Sequence, residues 1–195
     1  MPGARRGRSR VNWVLSHRAD RAARPIADRH YNRQKPGTKQ FVPPGRCLVL
    51  RTEAAVWISS WPFAEYVRHE WPGAWVNSCF RRESGSDVAS VMIREAIAAT
   101  RWHWPEVPSI AWAHKGESGF VGMVTFIDRD EVRHKRDYGR CYLRAGFRVI
   151  GETKGGLLAL GISLEDMPEA EAPLGSQIGL GIVLNSRELS LPQKR

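Results

Sequence analysis

Apolar and polar positions alternate along this chain in short blocks, and the spacing lengthens once to a helical period. The run Cys47-Leu-Val-Leu50 follows a loop punctuated by Pro36, Gly37, Pro43, Pro44 and Gly45, and a second apolar run covers residues 54–59. Only Arg51, Thr52 and Glu53 separate the two runs, so an antiparallel hairpin is the simplest connection. The segment 61–71 mixes aromatics with charges and reads as a short helix or an ordered loop. A third strand over 75–81 leads through Glu83-Ser-Gly-Ser86 into the best helix, where Val88, Val91, Met92, Glu95, Ala96, Ala99 and Thr100 form the more apolar face. Ser86 and Asp87 are suited to cap its start. Trp102, Trp104 and Pro105 mark its end.

Residues 109–113 and 121–127 read as two further strands, and a charged loop covers 128–137. A short helix over 139–145 stops at Gly146, and strands over 147–153 and 157–162 close the core. These elements predict one α/β (α+β) domain with a mixed, mostly antiparallel sheet flanked by helices. The expected organisation is a basic flexible arm over residues 1–24, a domain over 25–165 and a tail over 166–195 with one possible added strand at 178–184.

Charge changes this picture most. The 30 lysines and arginines outnumber the 20 acidic residues, for a net charge of +10. Seven arginines of the first 24 residues face only Asp20. Such a surplus attracts polyanions, and DNA is the leading partner; a solubilising arm is the plainer alternative. Three cysteines, Cys47, Cys79 and Cys141, lack metal-type spacing and leave an odd one over, so reduced thiols are expected. No apolar run is long enough for a membrane span or shaped as a secretory signal, which predicts a cytoplasmic protein.

Three groupings could carry chemistry. The turn Arg81-Arg82-Glu83-Ser84-Gly85-Ser86-Asp87 joins a strand to the best helix, where amides at a positive helix end can meet an anion. Asp87 would repel a phosphate, so Ser84, Gly85 and Ser86 are the better cofactor contacts. The run Asp28-Arg29-His30-Tyr31-Asn32-Arg33 offers a histidine able to exchange protons and a tyrosine able to donate or to stack. Third, the strand Thr125-Phe-Ile-Asp128 delivers an aspartate into a basic loop with Arg133, Lys135, Arg136, Tyr138 and Arg140, which together with Arg29 and Arg33 are candidate nucleic-acid contacts. Each grouping has a structural alternative: a capped turn, a packed His-Tyr pair, a loop-capping aspartate. Among the tryptophans, Trp61 or Trp71 could stack on an extruded base.

From about Asp28 to Ile162 the order of motifs resembles the Mom-like branch of the GNAT superfamily of acyltransferases. The resemblance is carried by His30-Tyr31, Phe80-Arg-Arg-Glu83, the Gly85-Ser86 turn into Val88-Ala-Ser-Val-Met-Ile-Arg-Glu-Ala96, Val124-Thr-Phe-Ile-Asp128, and Gly139-Arg-Cys-Tyr-Leu-Arg-Ala-Gly-Phe147 followed by Gly151. It implies a fold in which a splayed strand pair and the following turn hold an acyl thioester, acetyl-CoA or another acyl-CoA. It further implies that His30 and Tyr31 line the acceptor site, that Arg81 or Arg82 contacts substrate or cofactor, and that Asp128 completes the polar cluster. Mom-like proteins place a carbamoylmethyl group on adenine in DNA, which protects phage DNA from restriction. The usual GNAT glycine-rich cofactor signature is missing, and no metal-ligand set is legible. Two alternatives stay open: an acyl-CoA N-acetyltransferase of small-molecule or protein amines, and an inactive DNA-binding protein on the same fold.

Overall fold

Among the described residues nine strands hydrogen-bond into one mixed sheet with helix packed on each face, and a separate two-stranded ribbon packs beside it. The computed structural model describes residues 13–83, 87–132, 137–178 and 182–184. The strands are β1 (Val14–Ser16), β2 (Arg46–Arg51), β3 (Ala55–Trp61), β4 (Trp75–Arg82), β5 (Ile110–His114), β6 (Glu117–Val121), β7 (Met123–Ile127), β8 (Arg148–Glu152), β9 (Leu158–Ile162), β10 (Gly175–Ile178) and β11 (Ile182–Leu184). The helices are α1 (Arg24–Asp28), α2 (Ala89–His103) and α3 (Arg140–Ala145), with a 3-10 turn at Ala64–Tyr66. The sheet order is β11-β10-β1-β2-β3-β4-β7-β9-β8. Its pairings are antiparallel except β4 with β7 and β1 with β10. This is the mixed, mostly antiparallel α+β sheet that the apolar pattern predicts.

The two faces bury different clusters. Helices α2 and α3 pack on Trp57, Trp75, Met123, Ile127 and Leu160. The opposite face receives α1 and Phe41 over Val49, Val56, Ile58 and Cys79, with Trp71 and Trp112 over Val124 and Ile150 further along. On α2 the buried stripe includes Met92, Ile93, Ala96, Ile97 and Thr100, while Val88 is 64% exposed. The stripe is therefore rotated toward Ile93 and Ile97 from the face read in the sequence. The N-cap is Val88, whose apolar side chain makes no capping hydrogen bond.

The boundary of the basic arm needs correction. Trp13 is 1% exposed and donates its indole N–H to the Met92 carbonyl at 3.0 Å. Strand β1 pairs with both β2 and β10. Asp20, 5% exposed, is bound by Ser16 at 2.5 Å and by Arg51 at 2.8 Å. Residues 13–24 are thus part of the domain, because a buried tryptophan and a paired buried carboxylate cannot be released without cost. Residues 1–12 lie outside the described ones. The tail is likewise corrected: it returns to the β1 edge as two strands, β10 and β11.

The run 109–127 also divides differently. Strands β5 and β6 form their own hairpin, closed by Lys115 and Gly116 at φ 48° and 86°, the left-handed pair of a tight two-residue turn. The chain passes from the ribbon into the sheet at Gly122, where an added Cβ would lie 2.7 Å from Val107 Cγ1. A side chain there would force the crossing apart. No helix of the described residues is long and apolar enough to cross a membrane.

Candidate active site

The parallel pairing of β4 with β7 lasts three residues, Trp75 to Asn77 against Met123 to Thr125, and then stops although both strands continue. The ladder between β3 and β4 shifts register at the same level, Ile58 opposing Cys79 and Ser59 opposing Asn77, so Ser78 is the extra residue of a bulge. A bulge bends its strand and re-aims the residues beside it. Past Asn77 and Thr125 the strands diverge, and a cleft of about 1030 Å³ opens between them. That volume is at the upper end of what small-ligand pockets need.

A buried polar wedge holds the point of divergence. Asn77 donates its amide to the carbonyls of Ile58 at 3.0 Å and Cys79 at 3.1 Å. This orients its Oδ1 to accept the Tyr142 hydroxyl at 2.5 Å. Thr125 Oγ1 donates to the Asn77 carbonyl at 3.1 Å. Burial pushes the Tyr142 phenol well above its ordinary value, so it stays protonated. Sequence reading missed both Asn77 and Tyr142, which look like an ordinary strand polar residue and an ordinary helix aromatic.

The turn after α1 crosses the mouth of the divergence. Asn32 donates to the Ser78 carbonyl on β4 at 2.8 Å. The Tyr31 hydroxyl lies 3.4 Å from the Phe126 carbonyl on β7 and 3.4 Å from the Asp128 N–H. Ser78 and Phe126 are each the residue after the last parallel pair, so one short turn uses carbonyls that a longer ladder would have consumed. The His30 and Tyr31 rings stack at 4.5 Å. Burial, with the nearby Arg81 charge, lowers the His30 pKa below its ordinary 6.5, against a hydrogen bond to Asn32 that raises it. Burial raises that of Tyr31. Both rings are neutral at pH 7.

His30, Tyr31, Arg81, Arg82 and Asp128 all line this one cleft, although they come from three distant parts of the sequence. Their partners differ from those the sequence implied. Asp128 Oδ1 accepts the N–H groups of Asp130 at 3.0 Å and Glu131 at 3.4 Å, so the carboxylate caps its own loop, and His30 is bound to Asn32 instead. Arg81 donates to the Arg29 carbonyl at 2.6 Å and to Glu83 at 3.2 Å, fastening the His30 turn to β4. Arg29 shares Glu83 at 2.9 Å.

The candidate nucleic-acid contacts separate in the same way. The Arg33 side chain is 14% exposed and is held by Asp28 at 2.7 Å and Thr38 at 2.6 Å, which makes it a loop-holding residue and not a phosphate contact. Tyr138 is half-buried and packs against the main core. Arg140 lies in the cleft lining and pairs with Asp137 at 3.4 Å. Trp71 is buried, and Trp61 packs on Trp75 and Trp104 under the Arg46 guanidinium, so neither is offered to a base. Ser84, Gly85, Ser86, Arg133, Lys135 and Arg136 lie outside the described residues.

The cleft is polar in two different ways on its two sides. Beside α2 and α3 it is lined by residues 87–90 at the helix start and by Arg140 and Arg144. The helix start and the two arginines favour an anion, opposed by Asp87 and by Asp137, which pairs with Arg140 at 3.4 Å. Beside α1 it is lined by the neutral His30, Tyr31 and Asn32. In comparisons with known proteins, the chain matches no family model, no curated protein and no solved structure.

Proposed function

We propose that this protein is a GNAT-like transferase that places an acyl or carbamoylmethyl-type group on an amine of a base in DNA. One observation carries the reading: a parallel strand pair splays at a bulge, and the cleft so formed has an anion-attracting side and a neutral His-Tyr side. An acyl-CoA carries phosphates at one end and a reactive acyl carbon at the other, and the donor set fits it. The first-turn amides of α2, Arg140 and Arg144 would hold the phosphates; the thioester supplies an acyl carbon open to attack.

On the other side, His30 accepts the proton of the acceptor amine as its nitrogen bonds to the acyl carbon. Tyr31, 39% exposed, presents a ring face on which a planar base can rest. The sulfur departs as a thiolate, and the proton that His30 has taken returns to it as the thiol forms. Arg81 and Asn32 hold the His30 turn in place. A base inside a duplex cannot reach such a cleft, so the acceptor is an extruded or unpaired nucleotide. The +10 charge supports a nucleic acid over a small amine as acceptor.

The test is transfer itself. Purified protein, acetyl-CoA labelled in the acyl group and single-stranded DNA should yield labelled DNA, and Tyr31→Ala should abolish the label. Labelling of polyamines or protein lysines with none on DNA would favour the small-amine or protein acetyltransferase instead.

A further inference from the structure

We infer that Asn32 is a positioning residue that fixes His30 as the Nδ1-protonated tautomer, leaving Nε2 as the nitrogen that takes a proton. Ser78 sets the orientation of the Asn32 amide. Its carbonyl, freed at the bulge, can only accept, and it lies 2.8 Å from Asn32 Nδ2. That contact fixes the orientation of the Asn32 amide, because the flipped form would set two oxygens against each other at the same distance. The Asn32 Oδ1 therefore faces His30 Nδ1, at 2.6 Å. An amide oxygen has no proton to give, so the proton in this short contact belongs to Nδ1.

A competing contact exists and is the weaker one. The Asn32 backbone N–H points at the same Nδ1 from 3.3 Å and would require an unprotonated nitrogen. Two acceptors at 2.6 Å repel, whereas a donor left unmatched at 3.3 Å loses only a long bond. The shorter contact decides. The charged and titratable neighbours are the Arg81 guanidinium from β4 and the stacked Tyr31 ring. Neither offers Nδ1 an alternative acceptor, and Arg81 opposes protonation of both nitrogens at once.

This rests on the transferase reading only for what Nε2 does; the tautomer stands or falls without it. A histidine bound to a carboxylate gains a proton more easily, whereas an amide oxygen orients the ring and leaves it neutral. Asn32 thus sets which nitrogen is basic without making His30 cationic beside Arg81.

Nitrogen-15 NMR of the full chain tests it, with the His30 ring assigned by its loss in His30→Gln. In the wild-type protein at neutral pH, His30 should carry its proton on Nδ1. Asn32→Ala should return it to the Nε2-protonated form, and Asn32→Asp should keep the Nδ1 proton while raising the His30 pKa. A wild-type His30 protonated on Nε2, or a tautomer unmoved by Asn32→Ala, would overturn the inference. Wild-type spectra alone decide it if a variant does not fold. DNA labelling then separates the two claims. An Nδ1 proton with no transfer retains Asn32 as the positioning residue and removes the transferase reading, while transfer with an Nε2 proton does the reverse.

Discussion

The Tyr142 hydroxyl reaches Asn77 Oδ1 at 2.5 Å, and this bond joins α3 to the point at which β4 and β7 part. Asn77 is 3% exposed, and every one of its side-chain hydrogen bonds is internal. Tyr142→Phe leaves the buried Oδ1 with only the distant Thr125 hydroxyl at 3.5 Å. The cost should be about 1–3 kcal/mol in denaturant unfolding. A double-mutant cycle with Asn77→Ala should show coupling, and independent effects of the two substitutions would mean the wedge does not act as a unit.

Deletion of residues 1–12 should leave a cooperative melt, whereas deletion of residues 1–24 should abolish it. The second removes β1 and Trp13, whose truncation to alanine alone should cost about 3–5 kcal/mol. The shorter deletion removes Arg5, Arg6, Arg8 and Arg10, and should reduce the salt dependence of DNA affinity. A salt slope identical to that of the full chain would show that these arginines make no phosphate contact.

His69 sets a pH dependence of stability. Burial lowers its pKa to about 4 from 6.5, and its Nδ1 accepts the Trp71 N–H at 3.1 Å. Above pH 6.5 the imidazole is neutral in folded and unfolded chains alike. As pH falls, the unfolded chain binds the proton first, so stability is lost from about pH 6.5 down to about pH 4. Denaturant midpoints of wild type and His69→Gln over this range should diverge, with the variant less sensitive. Parallel curves would refute the burial of a neutral ring.

His30 predicts the shape of the activity profile. Its pKa lies below 6.5 because burial and Arg81 disfavour the cation. The acidic limb of transfer should therefore be centred below pH 6.5, with Arg81→Gln moving it upward if the fold is kept. An acidic limb centred above pH 7 would contradict a neutral base held beside an arginine.

Much of the sheet was legible because its central strands alternate or run apolar between turn residues, and α2 because its buried residues recur at helical spacing. Strand β1 was not, since three residues between Trp13 and His17 form a strand only when β2 and β10, far away in sequence, supply both edges. The β5–β6 ribbon was hidden for a related reason: Lys115 gives no sign of the left-handed turn it adopts. In the site, His30, Tyr31, Arg81 and Asp128 were named by residue type and position beside element edges. Their pairings were not, because Asn32, Ser78 and Asn77 matter through a bulge that no local pattern announces. Arg33 misled for the opposite reason, a cation whose charge is consumed by Asp28 in its own loop.

We propose that the cleft between β4 and β7 transfers a group to a DNA base with His30 as the proton acceptor. Mass spectrometry of nucleosides from the DNA of cells expressing the protein tests it most directly. The account predicts a nucleoside heavier by an acyl or carbamoylmethyl-type group in cells with the wild-type chain, and none in cells with His30→Ala at equal abundance. Unmodified nucleosides with the wild-type chain, or the same adduct with His30→Ala, would contradict it.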